Sequence, residues 1–214
     1  HQRHFAGSGR QKKARQRQHF PAMKWQDVPT LMVKLVESEA LGAVAARLLI
    51  LTGARSHMVR FAEWSEFDLV ARIWSLPAER MKMRQAFGIP LALEVVELLQ
   101  ALPGIEGSPY LFPGQGKTGV IHANAIRNLL HGLGHEDITR HGFRSSFRDW
   151  ANERTRYPRE VCELALAHDD RSQTEAAYSR SDFIEKRRDL MTDWASYATT
   201  TPVANVIQGD FKRA

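Results

Sequence analysis

The sequence contains a single cysteine, Cys162, among its 214 residues. One thiol cannot form an internal disulfide and cannot supply the several thiolates of a structural zinc site, so both kinds of cross-link are excluded. No stretch approaches the roughly 18 to 20 apolar residues that a membrane span requires, and the first residues lack the apolar core of a signal peptide. These absences favour a cytoplasmic protein with an ordinary hydrophobic core, which a content of 43% hydrophobic residues can supply.

Acidic residues are absent from residues 1–26, which contain seven lysines and arginines. The remainder of the chain has 23 basic and 24 acidic residues, so the formal net charge of +6 is concentrated in this first segment. A basic segment with few apolar residues is typical of a flexible arm or linker that binds polyphosphate. Alternatively, this basic segment only increases the solubility of the protein.

Apolar residues recur at intervals of three and four through most of the chain, which predicts a mostly helical protein. Residues 66–92 differ, because they are richer in β-branched and aromatic residues and are interrupted by Pro77 and Gly88. They predict a small antiparallel sheet with a hairpin whose loop carries Arg80, Lys82 and Arg84. The predicted helices cover 26–38, 40–53, 93–101, 121–131, 141–153, 158–167, 172–178 and 183–198.

Two motifs resemble sites with other functions but lack features that those sites require. The segment GQGKTG at 114–119 includes Gly-Lys-Thr, but a phosphate-binding P-loop requires glycine where Leu111 stands and a surrounding βαβ unit. The segment HEDITRH at 135–141 places its histidines six residues apart, whereas a zinc helix of the H-E-x-x-H type places them four apart. Neither a nucleotide site nor a metal site is predicted.

The remaining candidates are polar residues in distinct local settings. Arg55 follows a helix that Gly53 can end, and Lys82 lies in the predicted hairpin loop. His141 and Arg144 are three residues apart at the start of a predicted helix, so both can face one anion. His168 lies at a helix end, and Tyr178 follows ten residues later.

This ordered set resembles the catalytic domain of the tyrosine recombinases, and the phrases PAERMKM, HGFR, LAH and AAYSRSDFIEKRRDLMTDWASY are similar to those of P4-type prophage integrases. The resemblance covers about residues 25–198. It implies a mainly α fold with a small three-stranded antiparallel sheet, and a chain that is the C-terminal domain of a longer recombinase. Residues 1–24 are then an interdomain linker or arm, and residues 199–214 a tail that packs on a neighbouring protomer.

The resemblance also implies a role for each site residue in cleaving and rejoining DNA. Tyr178 attacks the scissile phosphate and forms a 3′-phosphotyrosyl bond, which requires neither ATP nor metal. Arg55, Arg144 and His168 donate to the phosphate oxygens, where charge-assisted hydrogen bonds offset the negative charge of the transition state. His141 accepts the tyrosine proton, and Lys82 gives a proton to the leaving 5′-oxygen.

The expected partner is a double-stranded DNA attachment site. The family's assembly implies a tetramer on DNA for the full-length protein and, in some cases, a directionality factor, whereas this chain is expected to be monomeric. DNA contacts are expected from a set of basic residues that includes the catalytic Lys82, namely Lys12, Lys13, Arg80, Lys82, Arg84 and Arg140.

Several alternatives stay open. Arg55 could cap a helix, Lys82 could only touch phosphates, and His141 with Arg144 could be an exposed pair. The family commonly has glutamate three residues after the first arginine, where this chain has Met58, and Glu63 is a candidate replacement. Two other functions are a type IB topoisomerase, with the same chemistry but no partner pairing, and a DNA-binding module without catalysis.

Overall fold

The structure is a computed structural model, and it describes residues 22–81, 84–167 and 183–202. Over these residues the order of α-helices and strands is α1 Val28–Val36, α2 Leu41–Thr52, α3 Ser56–Arg60, β1 Phe67–Asp68, β2 Ile73–Leu76, β3 Phe87–Pro90, α4 Leu93–Ala101, α5 Ala125–Gly132, α6 Gly142–Arg154, α7 Arg159–Ala165 and α8 Ile184–Thr199. Short 3₁₀ turns cover Trp25–Asp27, Trp64–Glu66 and Ala78–Arg80. The mainly α fold with one small sheet is therefore confirmed.

Helix α2 is the centre of the core. Its side chains are buried around most of the helix, with Ala46, Leu48 and Leu49 fully inaccessible to solvent. A helix that is apolar around most of its circumference must be covered on several sides, and α1, α4, α5 and α8 pack against α2. The helix ends where Gly53 adopts a left-handed conformation with φ 62°, as its sequence position predicts.

The C-terminal helix α8 covers the core with one apolar stripe. Leu190, Met191, Trp194, Ala195 and Ala198 are buried and recur at the spacing of one helical face. The Trp194 Nε1 donates to the Ile50 carbonyl at 2.8 Å, which gives a partner to one of the last carbonyls of α2. This contact fixes α8 to the end of the helix that precedes Arg55.

The sheet has the order β1-β2-β3, and both pairs are antiparallel. Trp74 in β2 lies opposite Phe67 and Ile89, and the Phe67 and Trp74 rings stack with centroids 4.9 Å apart. The three-stranded antiparallel sheet implied by the resemblance is confirmed. The connection between β2 and β3 is the segment in which the sequence places Lys82.

Two differences from the predicted elements have local causes. The short helix α3 is not among the predicted helices, because its five residues provide a little more than one turn and no recurring apolar pattern. Helix α5 begins at Ala125 rather than at residue 121, since Ile121 instead donates its N–H to the Phe112 carbonyl. The predicted helix 172–178 lies outside the described residues.

Candidate active site

Arg55 lies where α2 gives way to α3. Gly53 turns the chain, and Arg55 itself has an extended backbone at the residue before α3, with φ −74° and ψ 148°. Its half-buried guanidinium donates from Nη2 to the Ala167 carbonyl at 3.5 Å. Burial lowers the pKa of Arg55. The side chain therefore reaches from the end of α2 to the turn that follows α7.

Arg144 lies in the first turn of α6, and its side chain points inward. The residue is only 7% exposed, and its two terminal nitrogens donate to the Gly53 and Leu166 carbonyls. These carbonyls belong to the ends of α2 and α7, where helical hydrogen bonding leaves acceptors without partners. Arg144 thus joins three helices at the point that Arg55 also reaches.

The two arginines create a concentrated positive charge. Burial, and then the charges of Arg55 and Arg148, lower the pKa of Arg144 to about 9, whereas Glu163 raises it. Glu163 accepts a hydrogen bond from Arg148 Nη2 at 3.0 Å. At neutral pH both Arg55 and Arg144 carry their charge, so an anion placed beside them is strongly favoured over a cation.

His141 directly precedes α6 and is exposed. Burial of part of the ring, and then the charges of Arg144, Arg140 and Arg55, lower the pKa of His141. A lower pKa keeps the imidazole neutral at pH 7, and a neutral imidazole can accept a proton. Arg140 is anchored by a hydrogen bond from Nη1 to the Ala123 carbonyl.

A second group of side chains borders Arg55 on the side of the sheet. The Arg80 Nη2 donates to the Met58 carbonyl at 2.7 Å, and Arg80 Nη1 pairs with the Glu66 carboxylate. The exposed His57 ring hydrogen bonds to the Arg80 backbone. Burial, followed by the charges of Arg55 and Arg80, lowers the pKa of His57, and this hydrogen bond opposes the change. His57 therefore lies close enough to both Arg55 and Arg80 for their charges to act on its ring.

Comparison with known proteins assigns the family. The model of the Phage integrase family matches residues 22–185. The chain belongs to the phage integrase family. The resemblance stated from the sequence is therefore confirmed at the level of the family.

Individual members of the phage integrase family are longer than this chain. It is 31% identical over 199 residues to the integrase of Enterobacteria phage P4, covering 84% of this chain and 45% of that protein. It is 34% identical over 189 residues to prophage integrase IntZ of Escherichia coli K12, covering 86% and 46%. The chain spans about half the length of these curated relatives.

A solved structure of a phage integrase supports the fold. The integrase from mycobacterium phage Brujita superposes with a TM-score of 0.54 at 18% sequence identity, covering 83% of this chain and 60% of that one. At this identity the match concerns the fold alone. Among the residues of this chain that the structure describes, no helix is both long enough and apolar enough to cross a membrane.

Three of the six predicted site residues lie close together in the structure, namely Arg55, His141 and Arg144. Lys82, His168 and Tyr178 lie outside the described residues, as do Lys12 and Lys13. The turn contacted by both arginines, Leu166–Ala167, directly precedes His168 in the sequence.

The basic residues predicted to contact DNA have different surroundings in the structure. Arg84 is exposed, whereas Arg140 and Arg80 contact groups of their own chain. Phosphate binding by Arg80, Arg84 and Arg140 stays a prediction.

Two residues near the site were missed by sequence reasoning. His57 had a usable signal, since it lies two residues after Arg55 and next to Met58. Glu66 had none, because its pairing with Arg80 across fourteen residues depends on how the sheet folds. Glu63, the suggested replacement for the missing glutamate, instead accepts the Glu66 backbone N–H in a capping box, and Glu66 is the carboxylate that pairs with Arg80.

Proposed function

We propose that this chain is the catalytic part of a site-specific DNA recombinase, which cleaves and rejoins DNA to integrate or excise a mobile element. The observation that supports it best is that Arg55 and Arg144 converge on the turn before His168. Such a group of cations is suited to a phosphodiester, because a guanidinium can donate two parallel hydrogen bonds to phosphate oxygens.

The proposed reaction balances without an external energy source. The Tyr178 hydroxyl oxygen forms a bond to phosphorus while the bond from phosphorus to the 5′-oxygen breaks, which leaves a 3′-phosphotyrosyl link and a free 5′-hydroxyl. The tyrosine proton passes to His141, and Lys82 supplies a proton to the leaving oxygen. Arg55, Arg144 and His168 stabilise the additional charge on the phosphate in the transition state.

The wider organisation is part of the same proposal. Residues 1–24 form a basic linker whose Lys12 and Lys13 contact DNA phosphates, residues 25–198 form the catalytic domain, and residues 199–214 form a tail. Double-stranded attachment sites are the substrate, and the longer protein acts as a tetramer on DNA with a directionality factor where one is needed. We expect the isolated chain to be monomeric and to bind DNA weakly, because it grips only one side of the duplex.

Covalent capture tests the proposed function. The 214-residue chain is incubated with a pool of duplexes that contain a randomised segment and a nick a few bases beyond it, so that the short cleaved fragment diffuses away and the adduct accumulates. We expect a denaturant-resistant protein–DNA adduct whose attachment maps by peptide mass spectrometry to Tyr178. Tyr178→Phe is expected to abolish the adduct.

Tyr157→Phe is the matched control, because it removes only a hydrogen bond to Asp193 at 2.8 Å. It is expected to form the adduct as the unchanged chain does. The proposal fails if no adduct forms, if the adduct maps to another residue, or if it survives Tyr178→Phe. Sequencing of the captured duplexes identifies the preferred cleavage site.

A pH profile tests the role of His141. If neutral His141 accepts the tyrosine proton, the rate of cleavage falls as the pH drops through its pKa, which lies below the ordinary value of 6.5. Arg140→Gln removes a positive charge that lowers this pKa, so the acidic limb of the profile should move to higher pH. Single-turnover cleavage at saturating DNA, measured from pH 5 to 8, reports the shift independently of affinity.

Arg127→Gln is the control for this profile, since Arg127 lies on α5 and is exposed. It should leave the acidic limb in place. His141→Asn should remove the limb and lower the rate by about 10²-fold or more. A limb that persists in His141→Asn, or that stays unmoved in Arg140→Gln, would assign the titration to another group.

A further inference from the structure

The glycine hairpin, residues 113–120, contains the GQGKTG segment. Pro113 pairs with Val120 at its base, and the Gly114 N–H donates to the Gly119 carbonyl at 3.0 Å. A Cβ atom on Gly114 would lie 2.4 Å from the Val120 carbonyl oxygen, and Gly119 has φ 69°. The backbone of the hairpin therefore requires glycine at both positions.

Lys117 is the only charged residue of the glycine hairpin, and it is exposed. No aspartate or glutamate occurs from Gly107 to His135, whereas acidic and basic residues are nearly equal in number over the chain after residue 26. The hairpin and its flanking segments therefore carry a positive charge that no acidic neighbour in the sequence offsets. Such a local concentration of charge favours an anionic partner.

Arg60 fastens the glycine hairpin to helix α3. Its Nε donates to the Ile121 carbonyl at 2.7 Å, and its Nη2 donates to the Thr118 hydroxyl oxygen at 3.3 Å. Arg60 is the last residue of α3, and α3 begins directly after Arg55. The five residues of α3 rise about 7–8 Å from Arg55 to Arg60. The hairpin is thus held at a short and fixed distance from Arg55.

A second contact holds the same segment beside His141. Arg140, which directly precedes His141, donates from Nη1 to the Ala123 carbonyl. Residues 118–123 are therefore fastened to both of the segments that present Arg55 and His141. A loop that is fixed before it meets a ligand loses less conformational entropy on binding than a loose one.

We propose that the glycine hairpin contacts the DNA backbone beside the cleavage site, with the Lys117 ammonium group bound to a phosphate. This inference rests on the proposed function, in which Arg55 binds the scissile phosphate. Successive phosphates of one strand are about 3.4 Å apart along the duplex axis, so a hairpin held about 7–8 Å from Arg55 lies about two to four phosphates from the scissile one. Such a contact positions the duplex without reading its sequence.

The salt dependence of binding tests the phosphate contact. Each substitution is made in the Tyr178→Phe chain, so that cleavage does not contribute, and affinity for the captured duplex without its nick is measured by fluorescence anisotropy. One phosphate contact contributes about 0.9 to the slope of log affinity against log salt concentration. Lys117→Gln should therefore reduce this slope by about 0.9, so that its loss of affinity shrinks about three- to fourfold between about 50 and 200 mM salt.

Arg156→Gln is the matched control for Lys117→Gln, because it removes one exposed positive charge just beyond the far end of α6. Helix α6 contains 13 residues, so its last turn lies about 18–20 Å from His141. The slope should stay unchanged in Arg156→Gln. Gly114→Ala should weaken binding because it distorts the hairpin, whereas Gly104→Ala should not, since a Cβ atom there meets nothing within 4 Å.

Neutral phosphate analogues locate the contact on the duplex. A set of captured duplexes carries one uncharged methylphosphonate at each of about six phosphates on either side of the cleavage site. The duplex whose neutral position faces Lys117 should bind the Tyr178→Phe chain more weakly, and adding Lys117→Gln should cause no further loss on that duplex. We expect this position about two to four phosphates from the scissile one.

An unchanged slope in Lys117→Gln would overturn the phosphate contact, and coupling to a more distant phosphate, or to none, would overturn its place beside the cleavage site. The adduct at Tyr178 decides the proposed function separately. If no adduct forms, the proposed function fails, and the slope measured on a duplex of arbitrary sequence still shows whether Lys117 contacts a phosphate. Thermal unfolding verifies that folded variants are compared, and Lys117→Gln decides the matter if Gly114→Ala does not fold.

Discussion

Replacing Arg144 with methionine is expected to lower the rate of DNA cleavage by about a thousandfold or more, the scale on which fixed donors stabilise a charged transition state. Arg144 is the most buried of the site residues that the structure describes, and a desolvated guanidinium interacts with phosphate more strongly than an exposed one. Methionine preserves much of the packing volume and removes every donor. Single-turnover cleavage of the captured duplex measures the loss.

The same substitution should have a smaller effect on stability. It leaves the Gly53 and Leu166 carbonyls without the guanidinium, which costs about 1–3 kcal/mol for each buried acceptor that finds no other partner. It also removes a charge whose burial is unfavourable, so the two effects partly cancel. Urea unfolding should therefore show a folded variant with a modestly reduced midpoint.

Arg148→Met is the control for Arg144→Met, because Arg148 lies one turn further along α6 and pairs with Glu163. It removes one charge from the same helix without touching the Gly53 or Leu166 carbonyl. Arg144→Lys retains the charge but replaces a planar fork with a single ammonium group, and should recover only part of the rate. If Arg148→Met and Arg144→Met lower the rate of cleavage equally, Arg144 acts through its long-range positive charge rather than through contact with the phosphate.

The burial of Arg144 could not be predicted from its own segment. An arginine three residues after a histidine on a helix is equally compatible with an exposed pair and with an inward anion site. Its acceptors, Gly53 and Leu166, are 91 and 22 residues away, so the contact depends on how α2, α6 and α7 pack. The family resemblance identified Arg144 as a site residue, whereas tertiary packing determines the direction in which its side chain points.

Helices with a long periodic apolar pattern were predicted well for a physical reason. Helix α4 has the bounds that the sequence predicts, because Val95, Leu98 and Leu99 recur on one face. Helix α3 was missed since one turn contains no period, although it presents His57 beside Arg55. Local periodicity thus predicts the elements of the core, whereas a short element at the site depends on contacts that only the fold supplies.

Replacing Trp194 with alanine is expected to lower the free energy of unfolding by about 3–5 kcal/mol, the usual cost of deleting a large aromatic side chain from a core. Trp194 is fully buried, and its ring lies 5.1 Å from Trp150 and 5.5 Å from Phe147, measured between ring centroids. The substitution leaves a cavity between α6 and α8 and also removes the donor to the Ile50 carbonyl. Urea unfolding monitored by circular dichroism measures the change.

Phenylalanine at two tryptophan positions separates packing from hydrogen bonding. Trp194→Phe loses the hydrogen bond to Ile50 at the end of α2, and we expect it to cost about 1–3 kcal/mol. Trp64→Phe is the matched control, because the Trp64 Nε1 is buried without a hydrogen-bond partner among the described residues, and its loss should cost less. Equal costs at the two positions would show that the Ile50 contact contributes nothing beyond packing.

The packing of α8 also bears on the rate of cleavage. Trp194 hydrogen bonds to Ile50 near the end of α2, and Arg55 follows that end of the helix. Trp194 is fully buried and its indole donates to Ile50, whereas Arg55 donates to the Ala167 carbonyl, so we expect Trp194→Phe to alter activity only through the population of folded protein. Well below its unfolding midpoint this variant should cleave the captured duplex at close to the unchanged rate, and the loss on warming should parallel its unfolding curve. A lower rate in fully folded Trp194→Phe would instead show that the junction of α2 and α8 sets the position of Arg55.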